Sequence, residues 1–246
     1  MELLSDVWCY ETTRIRDVRH SDRDLVRALP LFRDVAEVHF NGLMNAAFLQ
    51  RFPPHVTLIN EGESPDFLHV VIDGTVELFG CSAERETTLD IIHPVTTFIL
   101  AAVIRDEVYL KSARTLTPAR ILMLPAASVR DVFDQDPHFA RAIVAELALR
   151  YRSLVRALKD QKLRNSAERL ANWILKSDRQ QGGHGHVTLG LDKRKLAARL
   201  GMTPENLSRN LTSLAEHGIS STGREIVITD HEALRQWARP NPLIDG

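Results

Sequence analysis

The chain has 246 residues, 44% of them hydrophobic and 26% charged, with a formal net charge of −1. That composition fits a globular protein long enough for two cores. No apolar run approaches the roughly 20 residues that cross a bilayer, and residues 1–17 lack the apolar run of a secretory signal. The two cysteines, Cys9 and Cys81, argue against a disulfide framework and against a cysteine-ligated metal or iron–sulfur cluster. The expectation is a cytoplasmic protein with no membrane segment and no metal. Charge is unevenly spread: residues 1–161 carry 18 Lys and Arg against 23 Asp and Glu, whereas residues 162–240 carry 13 against 8. A basic end on an acidic body suits a protein that presents one end to phosphates.

In chain order, residues 21–50 read as helical. Leu25, Leu29, Val35, Val38, Leu43, Ala46, Ala47 and Leu49 recur at steps of three and four, with a break near Pro30. From Phe52 to Leu124 the texture becomes short β-rich runs about ten residues apart, which predicts a small antiparallel barrel or roll. Asp73-Gly74 between two apolar runs marks a hairpin. Helical periodicity returns from about Ala126 and strengthens from Pro137. Ala140, Val144, Leu147, Tyr151, Leu154 and Leu158 then alternate steps of four and three, a heptad seam. Such a seam belongs either to a long helix lying on its own domain or to a dimerisation helix. Lys176–Gly190 is a polar connector whose His184 and His186 lack a third metal ligand nearby, so it reads as a solvated turn.

Leu191–Ile228 carries the most information. Asp192 can cap a helix with Leu196, Ala197 and Leu200 inward; Gly201 turns the chain; Thr203 caps a second helix and Pro204 suits its first position. Leu207, Leu211 and Leu214 form the buried face of that second helix, and Gly218 ends it. This is the helix-turn-helix pattern, and Glu225–Thr229 reads as a β-wing. Glu205, Ser208 and Arg209 project together from the start of the second helix, the end that enters a major groove. Arginine can grip guanine, glutamate can accept from cytosine, and serine can approach a base edge. Thr203 and Asn206 flank them as further DNA-binding candidates. The competing reading is an exposed polar face that binds nothing.

Taken together, these segments resemble the CRP/FNR transcription regulators. The likeness runs through Leu29-Pro-Leu-Phe32, Leu58-Ile-Asn-Glu-Gly-Glu63, Leu68-x-x-Val71, Gly74-x-Val76-x-Leu78 and Leu196–Arg209, over residues 22–235. It implies an α+β fold: an N-terminal cyclic-nucleotide-binding-type β-roll with helices (1–136), a long dimerisation helix (137–161) and a C-terminal winged helix-turn-helix (162–246). It also implies a homodimer on double-stranded DNA and, for an activator, contact with RNA polymerase. The Glu, Ser and Arg spacing resembles the FNR branch, which implies palindromic sites with TTGA-like half-sites. Pro204 replaces an arginine that contacts DNA in the cAMP receptor protein, so that contact is expected to be missing.

The resemblance also bears on the effector. Cyclic-nucleotide binders of the family carry Gly-Glu and then Arg-Ser or Arg-Thr; here Ile99-Leu100 and Lys111-Ser112 stand in those places. Buried nucleotide groups without partners would each cost about 1–3 kcal/mol, so no cAMP is expected. An iron–sulfur cluster is ruled out by the cysteine count. Haem stays open, although Ala101 stands where carbon-monoxide-sensing members have their histidine ligand, and His93 is the nearest candidate. Phe98, Ile99, Leu100, Val103 and Tyr109 are either an apolar effector pocket or plain core, with Lys111 and Ser112 able to serve some other anion. Catalytic motifs such as a P-loop, HExxH or a nucleophile elbow are missing, so no catalytic residue is nominated. The alternative to a DNA-reading regulator is a ligand-binding or interaction module that holds haem or an apolar small molecule and has little DNA specificity.

Overall fold

A computed structural model describes residues 19–83, 85–190 and 192–246. The readings of residues 1–17 and of Cys9 lie outside them. The chain runs α1 (His20–Arg27), α2 (Glu37–Ala46), β1 (Phe48–Phe52), β2 (Thr57–Ile59), β3 (Phe67–Asp73), β4 (Val76–Ser82), β5 (Arg85–Ile92), β6 (Thr96–Phe98), α3 (Leu100–Arg105), β7 (Ser112–Thr115), β8 (Ala119–Pro125), α4 (Ala126–Gln135) and α5 (Pro137–Leu163). It continues as α6 (Ser166–Gln180), β9 (His186–Thr188), α7 (Lys193–Arg199), α8 (Pro204–Ser213), β10 (Ile219–Thr222), β11 (Glu225–Ile228), α9 (His231–Ala238) and α10 (Pro242–Asp245). Two compact units part inside α5, between Leu147 and Ala148, and Thr87–Leu89 groups with the second unit. The helix expected over 137–161 is thus a single element that contributes to both.

Strands β1 to β8 form two four-stranded sheets, ordered β1-β8-β3-β6 and β2-β7-β4-β5, which make the antiparallel roll. The helix expected to run on to residue 50 is shorter and interrupted. Pro30 lacks an amide hydrogen and disfavours helix at Leu29, so α1 and α2 are separated by turns. Ala47 is extended and Phe48 already pairs with Met123 of β8. Leu25 and Val38, counted by periodicity among the inward positions, are exposed. Leu31, Phe32, Phe40, Leu43 and Met44 are buried, and Phe32 stacks on Phe139 of α5 at 5.7 Å between ring centroids. Asp136 anchors the start of α5. Its carboxylate accepts from the amides of His138 and Phe139 and from that of Ala36, and it faces the His39 ring at 3.0 Å. Burial opposes its charge, but His39 and these amides hold its pKa down, to about 2.

Asp73-Gly74 does not close a hairpin. β3 and β4 lie in different sheets, so the turn carries the chain from one sheet to the other. Gly74 has φ of +83°, and a Cβ there would sit 2.4 Å from the carbonyl oxygen of Pro118. Side-chain pattern cannot reveal that contact, which is with backbone 44 residues away. Gly74→Ala is expected to destabilise the roll by at least about 2 kcal/mol. Calorimetry would register this as a drop of several degrees in midpoint temperature.

The second unit packs α6, α7, α8 and α9 with the sheet β10-β11-β9 around Leu170, Ile174, Leu196, Leu207, Leu214, Ile226 and Leu234. The stretch read as a solvated connector holds the end of α6 and the strand β9. Val187 is buried, and β9 pairs with β11 in register Val187–Ile226. Three residues with one buried position give too little alternation to separate a strand from a loop.

Candidate nucleic-acid interface

The two helices of the motif are α7 and α8, and side chains cap both. The Asp192 carboxylate accepts from the Lys195 amide at 2.8 Å and the Thr203 hydroxyl from the Asn206 amide at 3.2 Å. Pro204 takes the first helical position of α8, where a missing amide hydrogen costs nothing. Between the helices Gly201 turns at φ +64°, with Gln161 so close that an added Cβ would lie 2.6 Å from its Oε1. Leu207 and Leu211 are buried, so the opposite face of α8 is fixed outward: Thr203, Glu205, Asn206, Ser208 and Arg209 are all exposed. These are the five residues nominated from sequence, and α8 presents them on one solvent-facing side. The Glu205 carboxyl is held below the usual range by its own amide, by the Thr203 hydroxyl and by the charge of Arg209. It stays ionised and can orient the arginine or accept from a base.

Several residues that support this face were not nominated. Arg169 of α6 donates to the carbonyls of Leu200 at 2.9 Å and Gly201 at 3.2 Å, the turn of the motif, and to that of Arg164 at 2.7 Å. Asn210 of α8 donates to the Ser166 hydroxyl at 3.0 Å. Asn165 and Glu168 form a reciprocal capping box at the start of α6, and the Asn-x-x-Glu spacing that marks it is readable in sequence. The wing expected at Glu225–Thr229 is β11, paired with β10 from Ile219–Ile228 to Thr222–Glu225. Arg194, Arg199 and Arg224 are exposed on the same unit.

In the first unit, the segment nominated for an effector is packed. Phe98, Ile99, Leu100, Val103 and Tyr109 belong to one contiguous core, and Ser112 is buried with its hydroxyl accepting from the Glu61 amide at 2.9 Å. Lys111 is half-buried. Burial first, then the charge of Asp66, pushes the Tyr109 phenol up to about 12. An open cleft of about 220 Å3 in the same unit is lined instead by Leu29, Pro30, Leu31, Val95, Thr96, Thr97 and Glu146. Ile99 precedes α3 with φ of +62°, a conformation that glycine takes freely and that is strained for a β-branched residue.

Two family models match the chain: a cyclic nucleotide-binding domain over residues 49–136 and a Crp-like helix-turn-helix domain over residues 168–237. The chain belongs to the CRP/FNR family of transcription regulators. Over 194 residues it is 27% identical to a CRP-like cAMP-activated global transcriptional regulator of Mycobacterium tuberculosis, covering 76% of this chain and 87% of that one. A putative cAMP-binding regulatory protein from Silicibacter pomeroyi superposes with a TM-score of 0.57 at 29% identity, covering 90% of this chain and all of the other (100%). FixK2 from Bradyrhizobium japonicum shares the fold, with a TM-score of 0.66 at 21% identity over 77% of this chain and 96% of its own. The two matches cover the β-roll and α7–α8, so the chain carries a DNA-binding helix-turn-helix and belongs to a family of transcription regulators. Among the described residues no helix is long and apolar enough to cross a membrane, and no cluster of three or more metal-ligating side chains occurs.

For this CRP/FNR chain the heptad seam divides by position. Ala140 and Leu147 are half-buried in the first unit, whereas Val144, Tyr151, Leu154 and Leu158 are exposed, as is Val155 beside them. Large apolar side chains exposed together along one helix form the kind of patch that interaction surfaces use.

His69 of β3 was not nominated and is the least accommodated polar side chain of the roll. It is buried against Phe98, 5.1 Å away ring to ring, and Phe67, and its Nδ1 has no hydrogen-bond partner. Burial lowers its pKa to about 4, a backbone hydrogen bond with Phe67 partly opposing. The folded chain thus resists a proton that the unfolded chain accepts below the ordinary histidine value of 6.5. Stability contributed by neutral His69 is present above pH 6.5, falls as the pH drops towards 4, and is then lost by about 3 kcal/mol. His69→Phe is expected to flatten that part of the stability–pH curve, measured by urea unfolding at steps between pH 4 and 7.

Proposed function

We propose that the protein is a homodimeric regulator that reads palindromic DNA with TTGA-like half-sites. In this reading α5 pairs two copies, and Glu205, Ser208 and Arg209 of each α8 meet base edges, with Thr203 and Asn206 beside them. The observation that carries it is the capped start of α8, where five polar side chains project together from a helix whose other face is locked into a core. The exposed stripe from Val144 to Leu158 supports pairing. A two-fold pair sets its recognition helices about 34 Å apart, one turn of duplex. Such a protein works in the cytoplasm beside the DNA, and as an activator it would meet RNA polymerase there.

The sensor unit, in the same proposal, does not use cAMP, although the M. tuberculosis relative is named as cAMP-activated. By the family resemblance, Ile99 and Leu100 stand where cyclic-nucleotide binders carry glycine and glutamate, and both are buried in core. Lys111 stands where an arginine would take the phosphate. The strained turn at Ile99 supports a segment whose backbone keeps a glycine-like path while its side chains close the space. The roll then acts as a closed body without cAMP, haem or an iron–sulfur cluster. Gel shifts at fixed salt on TTGA palindromes and scrambled duplexes test the DNA reading, and equal affinity for both sinks it. Calorimetric titration with cAMP, beside an absorbance spectrum and native mass of the purified protein, tests the closed roll. Heat of binding, a Soret band or a retained ligand overturns it.

A further inference from the structure

α5 ends at Leu163 and α6 begins at Ser166, so two residues set the angle between the long helix and the recognition domain. Asn165 is held from the α6 side by its capping box. Arg164 is held by two carboxylates through three hydrogen bonds. Its Nη1 donates to Asp160, one turn back in α5, at 2.9 Å, and its two terminal nitrogens donate to the two carboxylate oxygens of Asp245 at 2.7 and 2.6 Å. Asp245 lies 81 residues further on, in α10, and is itself held by the Asn241 amide at 2.7 Å. The Arg164 and Asp245 side chains are only 7% and 12% exposed. A shielded, bidentate guanidinium–carboxylate pair has a defined geometry, unlike a surface ion pair.

The junction is also joined to the reading head. The Arg164 carbonyl accepts from Arg169, and the same guanidinium donates to the carbonyls of Leu200 and Gly201 in the helix-turn-helix turn. Gln161 lies against Gly201, and Ser166 accepts from Asn210 of α8. Any swing at Arg164 therefore carries α8 with it.

We propose that Asp245 is a positioning residue for DNA recognition: by closing on Arg164 it latches the α5–α6 junction and fixes the direction in which α8 is held relative to α5. The consequence for palindromes rests on the dimeric reading above. With two copies joined through α5, the latch sets the separation and tilt of two recognition helices, and so the half-site spacing that the pair accepts. Contact with a single half-site does not depend on it.

The test uses the full chain and Asp245→Asn, with Asp245→Glu as the conservative variant. Affinity is measured on a single half-site duplex and on palindromes whose spacing is stepped one base pair at a time. The wild type is expected to prefer one spacing sharply. Asp245→Asn is expected to lose about tenfold on the best palindrome and to flatten the spacing profile, while half-site affinity stays within about twofold. Asp245→Glu is expected to restore most of the preference. Amide exchange over residues 161–169 is expected to speed up about tenfold in Asp245→Asn, with the β-roll unchanged. A variant that keeps the wild-type profile and exchange overturns the latch. So does one that loses half-site and palindrome affinity equally together with thermal stability, which is a purely structural effect. A wild type that binds half-site and palindrome equally refutes the dimeric reading alone; faster junction exchange in Asp245→Asn then still supports the latch, and unchanged exchange overturns it.

Discussion

Arg209→Ala is expected to reduce discrimination between a TTGA palindrome and a duplex substituted at one base pair of each half-site by about 10- to 100-fold, the 1–3 kcal/mol carried by a good bidentate base contact. The side chain is exposed at the start of α8, free of the core formed by Leu207 and Leu211, and the charge of Arg209 helps hold the Glu205 carboxyl below its usual range. The pattern of the loss matters more than its size. A base-reading arginine lowers affinity for the correct site and leaves non-specific affinity nearly unchanged. A phosphate-contacting arginine lowers both together and reduces the salt slope by about one. Gel shifts on matched and substituted duplexes at two salt concentrations separate the two, and a uniform loss with a shallower slope moves Arg209 from the bases to the backbone. Glu205→Gln should weaken discrimination less than Arg209→Ala, because it removes a negative charge but keeps an acceptor.

The reading head was legible in sequence because its devices are local. Asp192, Thr203 and Pro204 act within three residues of their partners, and the Leu207–Leu211 spacing marks its face within one turn; the caps and the buried face form where the sequence places them, although α8 ends at Ser213 and Leu214 opens a 3-10 turn that runs to His217. The box of Asn165 and Glu168 was equally local and could have been read. Distance in sequence hid the rest. Asp73-Gly74 has the composition of a hairpin, yet its role is set by the backbone of Pro118 and Ala119. Arg164 and Asp245 pair across 81 residues, so no local pattern marks either of them. Ile99 showed itself as a replacement for glycine, but its left-handed backbone follows from the path of the roll and not from any propensity of isoleucine. Apolar residues from Phe98 to Tyr109 left core and pocket undecided, since both require the same side chains; only their packing into one contiguous cluster favours core.

Leu154→Glu carries the second large effect, on assembly. Leu154 is 69% exposed within one chain, so the substitution removes little from the protomer's own core and glutamate is a good helix former. Helicity and midpoint temperature of the protomer should hardly move. In a paired α5 the same position faces its counterpart across the seam, where burying a leucine is worth about 1.5–3 kcal/mol and two glutamates repel. Val144, Tyr151 and Leu158 lie on the same stripe, so a defect at Leu154 interrupts the seam at its middle. Sedimentation equilibrium is expected to show a dimer for the wild type and a monomer for the variant at equal concentration. Palindrome affinity should then fall by about two to four orders of magnitude, because the second half-site is no longer delivered at high effective concentration, while single half-site binding persists. A variant that stays dimeric puts the interface elsewhere. A variant that loses its fold instead shows that the stripe is covered within the chain, which is the other role the heptad pattern allows. Arg209 and Leu154 thus test separable properties: the first alters which sequence is preferred at unchanged assembly, the second alters assembly at unchanged half-site preference.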